Sequence, residues 1–255
     1  TSRRDSRTLA RRRNLRGFSK TQLHTFQGVE KRRVAGGAHF TRPSKITSRE
    51  EKEKNYQLVQ TMSEVGDQTV ELVPNLRRTD EDIKGAVDAW IRDPAAAEAR
   101  YGHISLWDTS AVTNMRSLFS SYRCGDNIWN INEDLSAWIT TNVTDLSYMF
   151  YCARSFNCDI SAWDTSSVTD LSHTFLGATS FNCGGGDLGI WNTAAVTNMD
   201  STFYEARSFN CDISAWDTSS VTSLSRTFCG ARSFNCGSGD LGIWNTAAVT
   251  NMDST

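Results

Sequence analysis

Lysine disappears from this chain after Lys84, and the 255 residues hold only 3 Pro and 4 His. Nowhere do 18 apolar residues run together, which excludes a membrane-spanning helix within this sequence. The seven Cys include no C-x₂-C pair of the kind a zinc site needs. The nearest pairs, Cys152/Cys158 and Cys229/Cys236, are six and seven positions apart. Of His24, His39, His103 and His173, none belongs to a recognisable nucleophile–His–acid set, and no phosphate-binding Gly loop is present. Gly184-Gly185-Gly186 reads as a turn insert. No catalytic residue, metal or cofactor is expected, and the chain reads as non-enzymatic.

The formal net charge of -2 conceals two opposite halves. Residues 1–60 carry 16 Lys+Arg against 5 Asp+Glu, whereas residues 102–255 carry 6 Arg against 15 Asp+Glu. A basic arm thus precedes an acidic body. Residues 1–46, with Arg11-Arg12-Arg13 and Lys31-Arg32-Arg33, show little periodicity. Such a segment buries too little apolar surface to offset an ordering entropy of roughly 1–2 kcal/mol per residue, so it is expected to be disordered. The alternatives are a transit-peptide remnant or a nucleic-acid-binding arm; Asp5 and the lack of interleaved aromatics weaken both. The chain opens on Thr1 and stops inside a repeat, which reads as a fragment of a longer protein.

Residues 47–78 read as a linker holding one short helix. Ser48 and Glu51 make a capping-box pattern, and Tyr56, Val59 and Met62 lie three apart. Residues 79–101 read as a helical cap on the segment from 102 onward. Thr79 and Asp82 form a second capping-box pair, and Ile83, Val87 and Trp90 or Ile91 keep helical spacing. Asp93-Pro94 breaks the helix, Pro94 suits the first turn of another, and Gly102 ends it.

From Ile104 one pattern recurs: aliphatic, two residues, Trp, usually Asp or Asn, Thr, two residues, Val-Thr, one residue, Met or Leu, three residues, Phe. It runs as Ile104…Trp107…Val112-Thr113…Met115…Phe119 and recurs from Leu135, Ile160, Leu188 and Ile213; the copy at Leu241 stops before its Phe. The Trp residues are 31, 25, 28, 25 and 28 positions apart, so the larger unit is 53 residues. Ala153–Thr169 is identical to Ala206–Thr222, and Phe181–Thr202 matches Phe234–Thr255 except for Gly185 against Ser238. Tandem duplication explains this; chance does not.

A fixed period of this size signals a solenoid. One repeat offers about six large apolar side chains, whose burial is worth roughly 9–18 kcal/mol. Ordering its backbone costs roughly 25–50 kcal/mol. A lone repeat should not fold, but stacked repeats share apolar faces and backbone hydrogen bonds. Asp159–Trp163 reads as a short strand. Val196, Met199, Phe203 and Ala206 step by 3, 4 and 3, one face of a short helix with Thr197 at its N-cap. The fold class expected is α/β: an LRR-like parallel solenoid over 102–255, with one short strand and one short helix per repeat.

The motif Phe156-Asn157-x-Asp159-Ile160-Ser161-x-Trp163-Asp164-Thr165-Ser166-x-Val168-Thr169 and its copies resemble the BspA-like leucine-rich-repeat surface proteins. Within them it is closest in pattern to the 25-residue mycoplasma lipoprotein-type, DUF285-like repeat. Ile83…Ala86-Val87…Trp90…Asp93…Tyr101-Gly102 looks like the helical lead-in of other members. The resemblance covers about residues 79–255 and supplies no catalytic residues. It implies an LRR-like solenoid, a cell-surface or secreted location, and adhesion or protein binding. Cys stands after Phe-Asn where the family often has Gln, which puts a side-chain ladder at that position in doubt.

Several columns recur once per repeat. Trp107, Trp138, Trp163, Trp191, Trp216 and Trp244 are either core or, if strand alternation holds, an exposed aromatic stripe suited to carbohydrate. Asn157, Asn182, Asn210 and Asn235 are expected to bond backbone groups at a turn, with Trp129-Asn130 taking the Phe-Asn place in the long repeat. Asp159, Asp187, Asp212 and Asp240 repel if stacked, so they should be solvated, bound to backbone N–H groups, or bridged by Ca²⁺. Cys158, Cys183, Cys211 and Cys236 read foremost as a row of buried thiols, with disulfides between neighbours as the second reading. Asn142-Val143-Thr144 is a glycosylation sequon, a triplet that often arises by chance. The expected partner is a protein or glycan, met by the polar outer face at Ser161, Gly189, Ser214 and Gly242. Nucleic acid bound by the basic arm is the alternative.

Overall fold

The computed structural model describes residues 75–237 and 239–254. The basic segment 1–46, the helix expected over 48–63 and most of the 47–78 linker lie outside the described residues. The end of that linker is a strand, β1 (Arg77–Thr79), which pairs in parallel with β2 (Asp108–Ala111), Arg77 opposite Asp108 and Thr79 opposite Ala111.

Between these strands lie α1 (Ile83–Arg92) and α2 (Pro94–Tyr101). Ile83, Ala86, Val87 and Trp90 form the buried stripe of α1. Asp82 does not cap α1 with its side chain; its carboxylate reaches back to the Thr79 N–H at 2.8 Å. That is one half of a capping box, displaced one turn upstream. Asp93 caps α2 through the Ala96 N–H, Pro94 fills the first turn, and Gly102 closes the helix at φ 72°. Arg78 is buried here. Its guanidinium bonds Asp82 and the Asn75 carbonyl and lies over the Tyr101 and Trp107 rings. Charge pairing and two aromatic faces offset the cost of taking this cation out of water.

Beyond β2, neighbouring repeats meet along one line of parallel bridges, Asn114–Asp145–Asp170–Asn198–Ser223–Asn251. Beside this line runs a threonine row. The backbone N–H of Thr144, Thr169, Thr197, Thr222 and Thr250 each donates to the Thr carbonyl of the repeat before it, at 2.8–2.9 Å. Thr113 has no such predecessor. Asp80 stands in its place: one carboxylate oxygen accepts from the N–H of Thr113 and Asn114 at 2.9 and 3.0 Å, the other from the Thr113 hydroxyl at 2.6 Å. Burial pushes the Asp80 carboxyl upward, but these three donors outweigh it and hold the group below its ordinary value of 3.8. A depressed folded-state value gives stability that is present above the ordinary carboxylate range and lost as pH falls through the folded value. Asp80→Ala should therefore destabilise the protein at neutral pH by roughly 1 kcal/mol, as loss of a helix cap does, and leave less acid sensitivity below about pH 4. Urea melts of both proteins at neutral and acid pH measure it; parallel stability–pH curves would remove Asp80 from this role.

The strand and helix expected in each repeat are both replaced by turns. At the strand position, Ile160–Trp163 is a turn closed by Trp163 N–H to the Ile160 carbonyl, and Leu188–Ile190 is a single 3₁₀ turn. The cause is local. Asp159 and Asp187 bond the backbone N–H two residues on, and side-chain bonds of this kind compete with a strand ladder. At the helix position, alternate N–H groups leave the repeat altogether. Met199, Ser201, Phe203 and Glu205 donate to the carbonyls of Ser223, Ser225, Thr227 and Cys229 at 2.8–3.0 Å, while Thr202, Tyr204 and Ala206 donate three residues back. A two-turn helix would leave its first four N–H and last four C=O groups without internal partners; the chain of turns satisfies them through the neighbour. The turns require left-handed residues in fixed places. Tyr148 and Cys152, His173 and Gly177, Ser201 and Glu205, and Arg226 and Gly230 all have φ between 53° and 76°.

The interior is a set of aligned rings. Phe119, Phe150, Phe175, Phe203 and Phe228 stack from repeat to repeat at 5.5–5.8 Å. Phe156, Phe181, Phe209 and Phe234 form a second row at 5.4–6.2 Å. Among the described residues, no helix is long and apolar enough to cross a membrane.

Candidate functional site

The six repeat Trp residues make a third interior row. All but Trp244 are 2–3% exposed. The turn at Ile160–Trp163 brings both ends of the motif to the same side, so the column offers no exposed aromatic stripe. Each indole N–H donates to a backbone carbonyl of the preceding segment: Trp107 to Gly102, then Trp138, Trp163, Trp191, Trp216 and Trp244 to Ile104, Leu135, Ile160, Leu188 and Ile213, at 2.8–3.2 Å. Two residues further on, Thr109, Thr140, Thr165, Thr193 and Thr218 are buried and donate their hydroxyls to carbonyls of the following repeat. The interior polar atoms of this column are thereby matched.

The Asn column is a ladder. The side-chain carbonyls of Asn132, Asn157, Asn182 and Asn210 accept the backbone N–H of Asn157, Asn182, Asn210 and Asn235, at 2.8–2.9 Å. The first rung corrects the assignment of Trp129-Asn130 to the Phe-Asn place. Ile131-Asn132 occupies it, with Ile131 buried, while Trp129 aligns with Arg154 two positions earlier. The signal was in the spacing, since Ile131 precedes Leu135 by the same four residues that separate Phe156 from Ile160.

The Cys column is not a uniform row of thiols. Cys183 and Cys211 form a disulfide across neighbouring repeats, with Cα atoms 6.4 Å apart. Cys183 begins the Gly184–Gly186 insert, adopts φ 62° and is buried, whereas Cys158 and Cys211 sit in 25-residue repeats without positive φ. The insert rotates Cys183 off the common register, so equal spacing in sequence does not give equal side-chain direction. Cys158 and Cys236 remain free. Burial, with Asp134 and Asp159 adding to it, pushes the Cys158 thiol up to about 11. Reactivity follows the thiolate, and the higher nucleophilicity of a more basic thiolate offsets part of its scarcity, so alkylation of Cys158 at pH 8 should run about tenfold slower in the folded than in the unfolded protein. Mass-spectrometric labelling kinetics test this; equal rates would mean the thiol is open.

The outer surface is built from side chains folded onto their own backbone. In one row, Asp134, Asp159, Asp187, Asp212 and Asp240 accept the N–H of Ser136, Ser161, Gly189, Ser214 and Gly242 at 2.7–3.0 Å. Ser161, Gly189, Ser214 and Gly242, expected to meet a partner, are thus one aligned column whose backbone N–H groups are already used. In a second row, after the Trp, Asp108, Asp164 and Asp217 accept from Ser110, Ser166 and Ser219, and Asn192 and Asn245 from Ala194 and Ala247. The Ser166 hydroxyl and N–H hold the Asp164 carboxyl below its ordinary value, Ser219 does the same for Asp217, and the Ser214 N–H and hydroxyl for Asp212. These carboxylates stay ionised at neutral pH.

Between the two rows lies a further column: Leu106, Ala137, Ala162, Ile190, Ala215 and Ile243, the residue before each Trp; strand alternation would put Ile190 on one face with Leu188, but the turn buries Leu188 and leaves Ile190 outside. Ile190 is 65% exposed, Ile243 69% and Leu106 37%. A separate group gathers the exposed Tyr122 with the half-buried Tyr151, Tyr148 and His173; Tyr122 stacks on Tyr151 at 4.2 Å and Tyr148 on His173 at 4.3 Å, with Arg116 over the Tyr148 ring. The sequon residue Asn142 uses its side-chain amide on the Ser110 carbonyl. Among the described residues, no three His, Cys, Asp or Glu side chains are grouped to hold a metal ion.

No curated protein and no solved structure matches the chain. A family model does match it, over residues 94–188 and again over 184–255. Those two spans cover the second helix of the cap and every repeat, and by them the chain belongs to the family described as mycoplasma protein of unknown function, DUF285.

Proposed function

We propose that these repeats form an LRR-like parallel solenoid of the BspA-like type, acting without catalysis as a protein-binding or adhesion module at a cell surface or in a secreted protein. One observation carries this reading: successive repeats use their Trp, Thr and Asn side chains on one another's backbone, while the outer columns keep a constant register. Interior side chains hold the array together, and outer side chains are left for contact. Near-identical repeats copy any group they carry, which favours a repeated surface over one asymmetric catalytic constellation. Avidity from repetition would then strengthen weak single contacts. The full chain, immobilised and presented with a panel of surface proteins and a glycan array, should retain at least one ligand. Silence across both would defeat the reading.

The charge asymmetry supports a second reading, nucleic acid held by the basic arm. Binding would then weaken with salt in proportion to the Lys and Arg of residues 1–46. Deleting that arm with no change in nucleic-acid affinity would end it.

A further inference from the structure

Two tyrosine rings from adjoining repeats are held face to face at the surface by backbone that is already committed. The Ser121 N–H donates to the Tyr151 carbonyl at 3.0 Å, which seats the turn Ser121–Cys124 on the next repeat. Ser120 caps that turn through the Tyr122 N–H at 3.2 Å, and Arg123 ties it to Asp88 and to the Ser117 carbonyl. On the other side the Tyr151 N–H closes a turn onto the Tyr148 carbonyl at 3.2 Å. The Tyr122 and Tyr151 rings then lie 4.2 Å apart between centres and 20° from parallel.

A stack needs only rings, and the interior rows of this array use Phe and Trp. Here the hydroxyls meet as well. The Tyr151 hydroxyl donates to the Tyr122 oxygen, and this bond, with burial behind it, holds the Tyr151 phenol well above its ordinary range. Oxygens paired at one end of two nearly parallel rings fix the register. The carbons ortho to one oxygen face the carbons ortho to the other, and these are the carbons at which phenoxyl radicals join. Tyr122 is 72% exposed, the highest value among the large hydrophobic side chains of the described residues, so an oxidant reaches it from solvent.

From this geometry we infer that Tyr122 and Tyr151 are a modification site, joined to dityrosine within one chain by a peroxide acting through a haem peroxidase. The inference goes beyond the binding reading and does not depend on it. Each hydroxyl gives up one hydrogen atom, and a carbon–carbon bond forms between two facing ortho carbons. Each of those carbons then passes its hydrogen as a proton to restore the aromatic ring and the O–H. The peroxide takes up the two electrons and two protons and leaves as two waters. Holding the reacting rings in contact favours this pair over tyrosines that must first meet. Tyr148 is the poorer partner. It lies 6.1 Å from Tyr122 and 6.0 Å from Tyr151, tilted by 59° and 40°, with His173 on its ring. The Cys152 thiol also bonds Tyr151 and competes by returning a hydrogen atom to it. Tyr122 and Tyr151 are 29 positions apart, so the link would close a long loop and tie the 31-residue first repeat to the second. A cross-link of that span stabilises by constraining the unfolded chain.

The test treats the full chain with hydrogen peroxide and a haem peroxidase, then reads dityrosine fluorescence, chain size and peptide masses. The monomer should gain the fluorescence. A peptide holding Tyr122 should be found joined to one holding Tyr151, two hydrogens lighter than their sum. Tyr122→Phe and Tyr151→Phe should each lose the link, because Phe keeps the stack and forms no phenoxyl radical; unchanged melting shows that they still fold. Tyr148→Phe should keep it, and Cys152→Ala should raise its yield. In urea, with the stack dispersed, the 122–151 link should fall to the level of the other tyrosine pairs. No link, links only between chains, preferential joining of Tyr148 or Tyr204, or a 122–151 yield that urea leaves unchanged would each overturn the inference.

Discussion

Phe203→Ala is expected to cost about 3–5 kcal/mol of folding stability, the range for deleting a fully buried aromatic ring. Phe203 is 0% exposed. Its ring stacks between Phe175 at 5.5 Å and Phe228 at 5.8 Å, lies 3.8 Å from Phe209, and leans on Trp216 at 6.0 Å. Truncation opens a cavity facing two neighbouring repeats, and neither can collapse into it without giving up backbone bonds such as Phe203 N–H to the Thr227 carbonyl at 2.9 Å. Because each repeat depends on its neighbours, the loss spreads. Phe234→Ala provides the comparison, since Phe234 is only partly buried. Urea denaturation of the two variants decides the matter: equal losses would mean that repeats fold independently and that the shared interior has been misjudged.

Removing the Cys183–Cys211 disulfide comes next in size. It closes a loop of 28 residues. Opening a loop of that length returns entropy to the unfolded chain worth about 3–4 kcal/mol at room temperature. Cys211→Ser should reproduce the loss, and adding reductant to that variant should change nothing more. Cys158→Ser, at a free thiol, should be far milder. The measurement is thermal or urea unfolding of each protein with and without reductant. A wild-type curve that ignores reductant, with the bond verified as reduced, would show that the staple contributes nothing.

The site was less legible than the fold. Ser161, Gly189, Ser214 and Gly242 are one aligned column, as the repeat spacing requires, but their N–H groups serve the Asp two residues before them. The sequence left solvation, backbone N–H groups and Ca²⁺ all open for that Asp column, and the turn geometry gives the second. The Ile190 and Ile243 stripe was hidden for a different reason. Ile next to Trp reads as core on hydropathy alone, and only the turn that buries the Trp turns its predecessor outward.

By itself the sequence determined the repeat, its 53-residue double unit and the Phe and Val positions of the interior; it left the Trp column open. Periodicity and apolar content belong to the chain and need no coordinates: Phe175, Phe203 and Val196 are all buried. Only the tertiary structure decided where the backbone hydrogen bonds go. A spacing of 3, 4 and 3 is compatible with a helix, and Val196 to Ala206 satisfies it, yet the N–H groups of Met199, Ser201 and Phe203 reach carbonyls 24 residues away at 2.8–3.0 Å, because the adjoining repeat supplies partners to groups that a two-turn helix would leave without internal ones. The same holds for Cys183. Its column is written in the sequence, but its bond to Cys211 depends on a backbone rotated by a three-glycine insert. Composition selects what is buried; the partner of each polar group is fixed only when the repeats come together.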